Sequence, residues 1–162
     1  MITIAIVEDE EAYAEQLTEY IEKYQQESGR RFRVIRFTDG DEIVEKYTGE
    51  YDIILMDIQM QFMDGMTAAE EIRKFDTKVV IMFITNMTNY AIRGYEVDAM
   101  DYVLKPVTYF SFARKLERAI GRIPQKAGRP VKVNTQEGVV RLDAGSVYYI
   151  ESEGHNLIYH TE

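Results

Sequence analysis

Four places in the chain hold residues able to do chemistry together: Glu8-Asp9, Asp57, Thr85 and Lys105. Each stands at the end of a candidate strand: the apolar runs Ile2 to Val7, Ile53 to Met56 and Val79 to Ile84, and the short strand Met100 to Leu104. Two carboxylates about 5 Å apart repel by roughly 3 kcal/mol at an effective dielectric of ~20. Three acids gathered at one place therefore call for cations. Lys105 supplies one positive charge, and a hard divalent ion such as Mg²⁺ would supply the rest by accepting carboxylate oxygens, a backbone carbonyl and waters. That set suits phosphoryl transfer onto Asp57. The carboxylate is the nucleophile, the cations screen the equatorial oxygens, and the Thr85 hydroxyl donates to one of them. Taken singly, Asp57 and Thr85 would more often be helix caps, Glu8 and Asp9 first-turn helix acids, and Lys105-Pro106 a surface turn. Their shared position at strand ends makes coincidence improbable.

The elements must bring those ends to one edge. Ile53 to Met56 has no polar face, so its strand is buried on both sides, as in a parallel sheet covered by helices. Phe32 to Phe37 alternates apolar residues with Arg33 and Arg36, as an edge strand does. Between the strands run helical patterns: Tyr13, Leu17, Tyr20, Ile21 and Tyr24 up to Ser28-Gly29; Ile43, Val44 and Tyr47 after Thr38-Asp39-Gly40-Asp41; Gly65 to Phe75, with Ala69, Ile72 and Phe75 on one side; a less regular stretch near Thr88 to Tyr95; and Phe112, Leu116, Ala119, Ile120 and Ile123. Five strand–helix units in alternation predict an α/β fold, a doubly wound five-stranded parallel sheet. In such sheets the reacting group sits at the carboxyl end of a central strand.

Residues 1–122 form this predicted domain. Residues 123–130 read as a linker, and residues 131–162 as a short all-β segment. Val131 to Thr135 and Val139 to Leu142 give a hairpin signal across Gln136-Glu137-Gly138, and Val147 to Ile150 and Leu157 to Tyr159 give two more strands. The segment is too short to bury an independent core. It is either a docked extension or the opening of a larger domain.

The formal charge of −9 on 162 residues argues against nonspecific attraction to nucleic acid or an anionic membrane. The absence of cysteine excludes disulfides and thiolate zinc sites. Without a long apolar run or a basic leader, the reading is a soluble, cytoplasmic protein with no membrane partner.

As a set, Glu8-Asp9, Asp57, Thr85 and Asp101-Tyr102-Val103-Leu104-Lys105-Pro106 resemble the receiver domain of two-component response regulators, which has a flavodoxin-like sheet. The resemblance covers roughly residues 1 to 122. It implies that Asp57 accepts phosphate from a sensor histidine kinase and loses it slowly by its own chemistry, without turnover of an external substrate. It implies that Glu8, Asp9 and Asp57 bind Mg²⁺ together with the main-chain carbonyl of Gln59. Thr85 and Tyr102 would be the switch pair, Lys105 the phosphate-sensing cation, and Lys105-Pro106 a cis bond. The surface of Met87 to Tyr95, the fifth strand and the last helix would change shape and could carry homodimerisation. Two residues depart from the family pattern: Gln61 stands where proline is frequent, and Asn86 where a small residue is usual.

Val147 to Asn156, with Leu157-Ile158-Tyr159, resembles the opening of a LytTR DNA-binding domain. That resemblance implies transcriptional control through promoter DNA, with His155 as a candidate DNA contact. Other readings are weaker. An aspartate-nucleophile phosphatase needs a second Asp at position 59, where Gln stands. An FMN carrier would meet Glu8-Asp9-Glu10-Glu11 where its phosphate loop belongs. A receiver that acts as a scaffold without taking phosphate sits poorly with the complete set of site residues. No histidine occurs in residues 1–122, so a phosphohistidine donor must be another protein.

Overall fold

The computed structural model describes residues 1–87 and 96–124 and the strands at 130–135, 138–143, 147–153 and 156–161. Side chains in those last strands are described only at positions 150, 151 and 158. The chain divides into two units, Met1–Ile123 and Pro124–Glu162.

In the first unit the strands are β1 (Ile2–Val7), β2 (Phe32–Phe37), β3 (Ile53–Met56), β4 (Val80–Thr85) and β5 (Asp101–Leu104). They form one sheet in the order β2-β1-β3-β4-β5, and every pairing is parallel. The helices described over their full length are α1 (Glu11–Ser28), α2 (Gly40–Glu45), α3 (Gly65–Arg73) and α4 (Tyr109–Arg122). This is the doubly wound parallel sheet that the alternating pattern predicted, in the flavodoxin-like form that the resemblance implied.

Alternate strand residues feed two cores, because successive side chains point to opposite faces. Ile4, Ile6, Ile53, Leu55, Met82, Ile84 and Val103 pack with Ala14, Leu17 and Ile21 of α1 and Phe112, Leu116 and Ala119 of α4. Ala5, Val7, Ile54, Met56, Ile81 and Phe83 pack with Ile43 of α2 and Met66, Ala69 and Ile72 of α3. Fully burying one such side chain contributes about 1.5–3 kcal/mol. Two-sided burial is why the β3 and β4 runs show no polar face.

Several boundaries differ from the sequence reading. β4 begins at Val80 rather than Val79, because the Val79 N–H bonds to the Asp76 carboxylate and its carbonyl to the Arg73 guanidinium. α3 ends at Arg73, which leaves Phe75 beyond the helix, 60% exposed and edge-on to Tyr47. Its expected place on the buried side of α3 falls to Met66, Ala68, Ala69 and Ile72. The helix expected near Thr88 to Tyr95 lies outside the described residues.

The second unit contains β6 (Pro130–Thr135) paired antiparallel with β7 (Gly138–Asp143), and β8 (Val147–Glu153) paired antiparallel with β9 (Asn156–Thr161). These are two separate two-stranded sheets, a size that is marginal on its own in water. Ile150 and Ile158 are 53% and 38% exposed.

Candidate functional site

Register assembles the site. Val7 pairs with Phe37 on one side and Met56 on the other, while Thr85 pairs with Leu104. The residues after these ends therefore emerge at one edge. β1 lies between β2 and β3, so the chain order reverses there, and the crevice outside such a switch point is where open α/β sheets bind ligands.

Asp57 stands in that crevice, 5% exposed. Its N–H donates to the Val7 carbonyl at 2.9 Å, which continues the sheet by one residue. Its Oδ1 accepts from the N–H groups of Ile58 at 2.6 Å and Gln59 at 3.3 Å. Its Oδ2 accepts from Lys105 Nζ at 3.0 Å. The same ammonium donates to Glu8 Oε2 at 2.7 Å and lies 4.0 Å from the centre of the Tyr13 ring. Burial opposes the Lys105 charge, but the bonds to Glu8 and Asp57 outweigh it and hold its pKa above the usual lysine value. Burial likewise pushes the Glu8 carboxyl up to about 7, against the Lys105 and Glu10 bonds that favour its ionised form.

Glu8, Asp9 and Asp57 each offer a carboxylate oxygen, and these oxygens lie within 4.8 Å of one another. Glu8 and Asp57 are buried and Asp9 is exposed. An all-oxygen cluster of this charge fits a hard divalent cation. Gln59, two residues beyond Asp57, is exposed.

Thr85 is fully buried, and its Oγ1 accepts from the Met87 N–H at 3.3 Å. The Tyr102 hydroxyl donates to the Met87 carbonyl, and its ring lies 6.4 Å from that of Phe83. The two residues singled out as a pair are thus joined through the main chain of Met87. Asn86 and Gln61 are both exposed. The Lys105–Pro106 bond is cis. His155 lies outside the described residues.

Sequence reasoning missed the residues that hold the loop after Asp57. The Asp39 carboxylate, 4% exposed, accepts from the N–H groups of Phe62 at 2.9 Å and Met63 at 2.8 Å. Gly65 closes the loop by donating to the Ile58 carbonyl at 2.8 Å, and a Cβ there would lie 2.0 Å from the Asp57 carbonyl oxygen. Asp39-Gly40 was visible as a helix opening; nothing in its spacing announced a bond twenty-three residues along the chain. Tyr13 was likewise read only as part of a helix stripe.

The fold and this carboxylate–lysine site define a class. Residues 4–117 match the response regulator receiver domain, and the chain belongs to that family. Among individual relatives, it is 29% identical over 131 residues to the sensory transduction protein LytT of Oceanobacillus iheyensis, covering 75% of this chain and 53% of that protein. It is 26% identical over 162 residues to the transcriptional regulatory protein YpdB of Escherichia coli, covering 92% and 65%. The chain thus spans about half to two thirds of the length of these relatives. Among solved structures it resembles the response regulatory domain of mrkE from Klebsiella pneumoniae, with TM-score 0.68, 26% identity, and 77% of this chain and 100% of that one covered. It also resembles the response regulator TrrA of Thermotoga maritima in complex with Mg²⁺-BeF, with TM-score 0.63, 28% identity, and 74% and 99% covered.

Proposed function

We propose that this chain is the phosphoacceptor part of a two-component response regulator, taking a phosphoryl group on Asp57 from the phosphohistidine of a sensor histidine kinase. The observation that carries the reading is a buried carboxylate at the sheet's switch point, 3.0 Å from a buried lysine and beside two further acids. An Asp57 oxygen forms the new O–P bond while the donor's N–P bond breaks, its electron pair leaving with the imidazole nitrogen. Lys105 then releases Asp57 and follows the transferred charge. Glu8, Asp9 and Asp57, with the Gln59 carbonyl, would hold Mg²⁺, which when bound neutralises charge on the phosphoryl oxygens. The chain transfers a group once and hydrolyses the acyl phosphate slowly, so it is not an enzyme with an external substrate.

A phosphoryl group with about 1.5–2 negative charges draws the Thr85 hydroxyl towards it. That breaks the hydrogen bond from the Met87 N–H to Thr85 Oγ1 and, through the Met87 main chain, releases the Tyr102 hydroxyl. Tyr102 then moves into the space that Thr85 leaves, and the altered surface supports homodimerisation. In the whole protein, a receiver at 1–122 and a linker at 123–130 lead to a LytTR-type domain that begins at 131. That domain binds promoter DNA, with His155 among its contacts, and the protein works in the cytoplasm. No helix among the described residues is long and apolar enough to cross a membrane.

The test is to incubate the protein with Mg²⁺ and a small phosphodonor, then map the acid-stable, base-labile phosphate. Label on Asp57 is expected. No label at any donor concentration would leave a scaffold that works without phosphate.

A further inference from the structure

Asp39 stands at the end of β2, and an aspartate there is ordinarily accounted for as the cap of the following helix. The distances assign it elsewhere. Its bond to the Asp41 N–H of α2 is long, at 3.4 Å, whereas those to Phe62 and Met63 are 2.9 and 2.8 Å. Both carboxylate oxygens are thus committed to the loop that leaves Asp57. A nearly buried carboxylate is tolerated only when such bonds satisfy it. The same contact is reinforced beside it: Gly40 packs so close that a Cβ would lie 2.5 Å from the Met63 carbonyl oxygen.

The loop between these anchors is short and closed. It is pinned in the middle at Phe62 and Met63, and at its end by the Gly65 N–H on the Ile58 carbonyl. Its first two amides, from Ile58 and Gln59, are the groups that orient Asp57 Oδ1. A displacement of the loop therefore turns the carboxylate.

We propose that Asp39 is a positioning residue for the acceptor site: it holds the 58–65 loop so that the loop's amides fix the Asp57 carboxylate for a divalent cation and for attack. This rests on the reading of Asp57 given above and extends it to a residue that touches neither cation nor phosphate. Removing the groups that orient metal ligands typically lowers metal affinity about 10–100-fold.

The experiment uses the full 162-residue chain and titrates Mg²⁺ calorimetrically in the absence of phosphodonor. Asp39→Asn, which puts an amide N–H against a loop donor, and Gly40→Ala, which pushes Met63 from the other side, should each raise the Mg²⁺ Kd about tenfold or more. Leu116→Ala, buried in the opposite core, supplies a destabilised control whose Kd should stay at the wild-type value. Amide exchange at Ile58 and Gln59 should speed up in Asp39→Asn and Gly40→Ala beyond the rates in Leu116→Ala. Wild-type Kd in both loop variants, or a Kd raised equally by Leu116→Ala, overturns the role of Asp39 and leaves the acceptor reading intact. If the wild-type chain binds no Mg²⁺, the cation reading falls, and exchange then decides for Asp39. Faster amides in the two loop variants alone support the clamp, and equal rates overturn it.

Discussion

The corners after β2 and β3 each end in a carboxylate that is almost fully buried, Asp39 at 4% and Asp57 at 5% exposure. They solve the same electrostatic problem with different partners. Asp39 is satisfied by main-chain N–H groups, which can leave only if the loop itself moves. These bonds hold its carboxyl below the usual aspartate value although burial alone would raise it. Asp57 has one oxygen on main-chain amides and the other on the Lys105 ammonium, which it shares with Glu8. A lysine on a flexible four-carbon stem can change partner by rotating its side chain. The first corner is held by bonds that no side-chain rotation can release, whereas the second includes one that such a rotation can.

Replacing the proposed acceptor tests the contrast most severely. Asp57→Asn should abolish phosphate labelling with the fold retained, read by mapping the label and by circular dichroism. Persistent labelling at Asp9 or Asp52 would overturn the assignment. Lys105→Met should come next, since it removes the exchangeable partner while leaving the main-chain amides. The loss of one preorganised donor at a developing charge typically slows a reaction about 10²–10³-fold, and the initial rate of labelling should fall by that order. A rate within a factor of about three of wild type, far short of that range, would show that Lys105 serves packing alone.

A weaker effect is expected at Met87, where the exchange would be passed on. Tyr102→Phe removes the hydroxyl that reaches the Met87 carbonyl but leaves the ring beside Phe83. Labelling at Asp57 should survive, while the phosphate-dependent shift of the Met87 amide resonance should shrink. Coupling of this kind is typically about 1–3 kcal/mol. Unchanged resonances of Thr85 and Tyr102 with and without a phosphate mimic would count against the switch itself.

What the sequence revealed follows the same division. The strands were legible because two-sided burial removes polar residues from whole runs such as Ile53 to Met56, and the site was legible because its acids and lysine terminate those runs. The ends of elements were less so. Val79 looks like strand, but its backbone is claimed by Asp76 and Arg73. Phe75 fits the helical spacing, yet packs edge-on against Tyr47 beyond the helix end. Asp39 was invisible as a clamp because its partners, Phe62 and Met63, contribute only backbone N–H groups, which every residue but proline carries.

Asp39 and Glu8, the carboxylate that shares Lys105 with Asp57, should differ in the sign of their pH dependence. In the folded, metal-free protein burial raises the Glu8 carboxyl from its ordinary value of 4.5 to about 7. Between those values the folded chain keeps a proton that the unfolded chain has released. Stability therefore falls as pH rises from 4.5 through about 7, by at most about 1.4 kcal/mol per pH unit for one proton. Asp39 acts in the opposite sense. Its lowered pKa adds stability that is present above the unfolded value and is lost as pH falls through the folded one. Urea denaturation of the EDTA-treated protein at a series of pH values should show the Glu8 slope, and Glu8→Gln should flatten it. Saturating Mg²⁺ should flatten it too, because a bound cation favours the ionised carboxylate. A profile already flat between pH 5 and 7 in the metal-free wild type, or a slope unchanged in Glu8→Gln, would mean that Lys105 keeps Glu8 ionised and that the site is charged before any cation arrives.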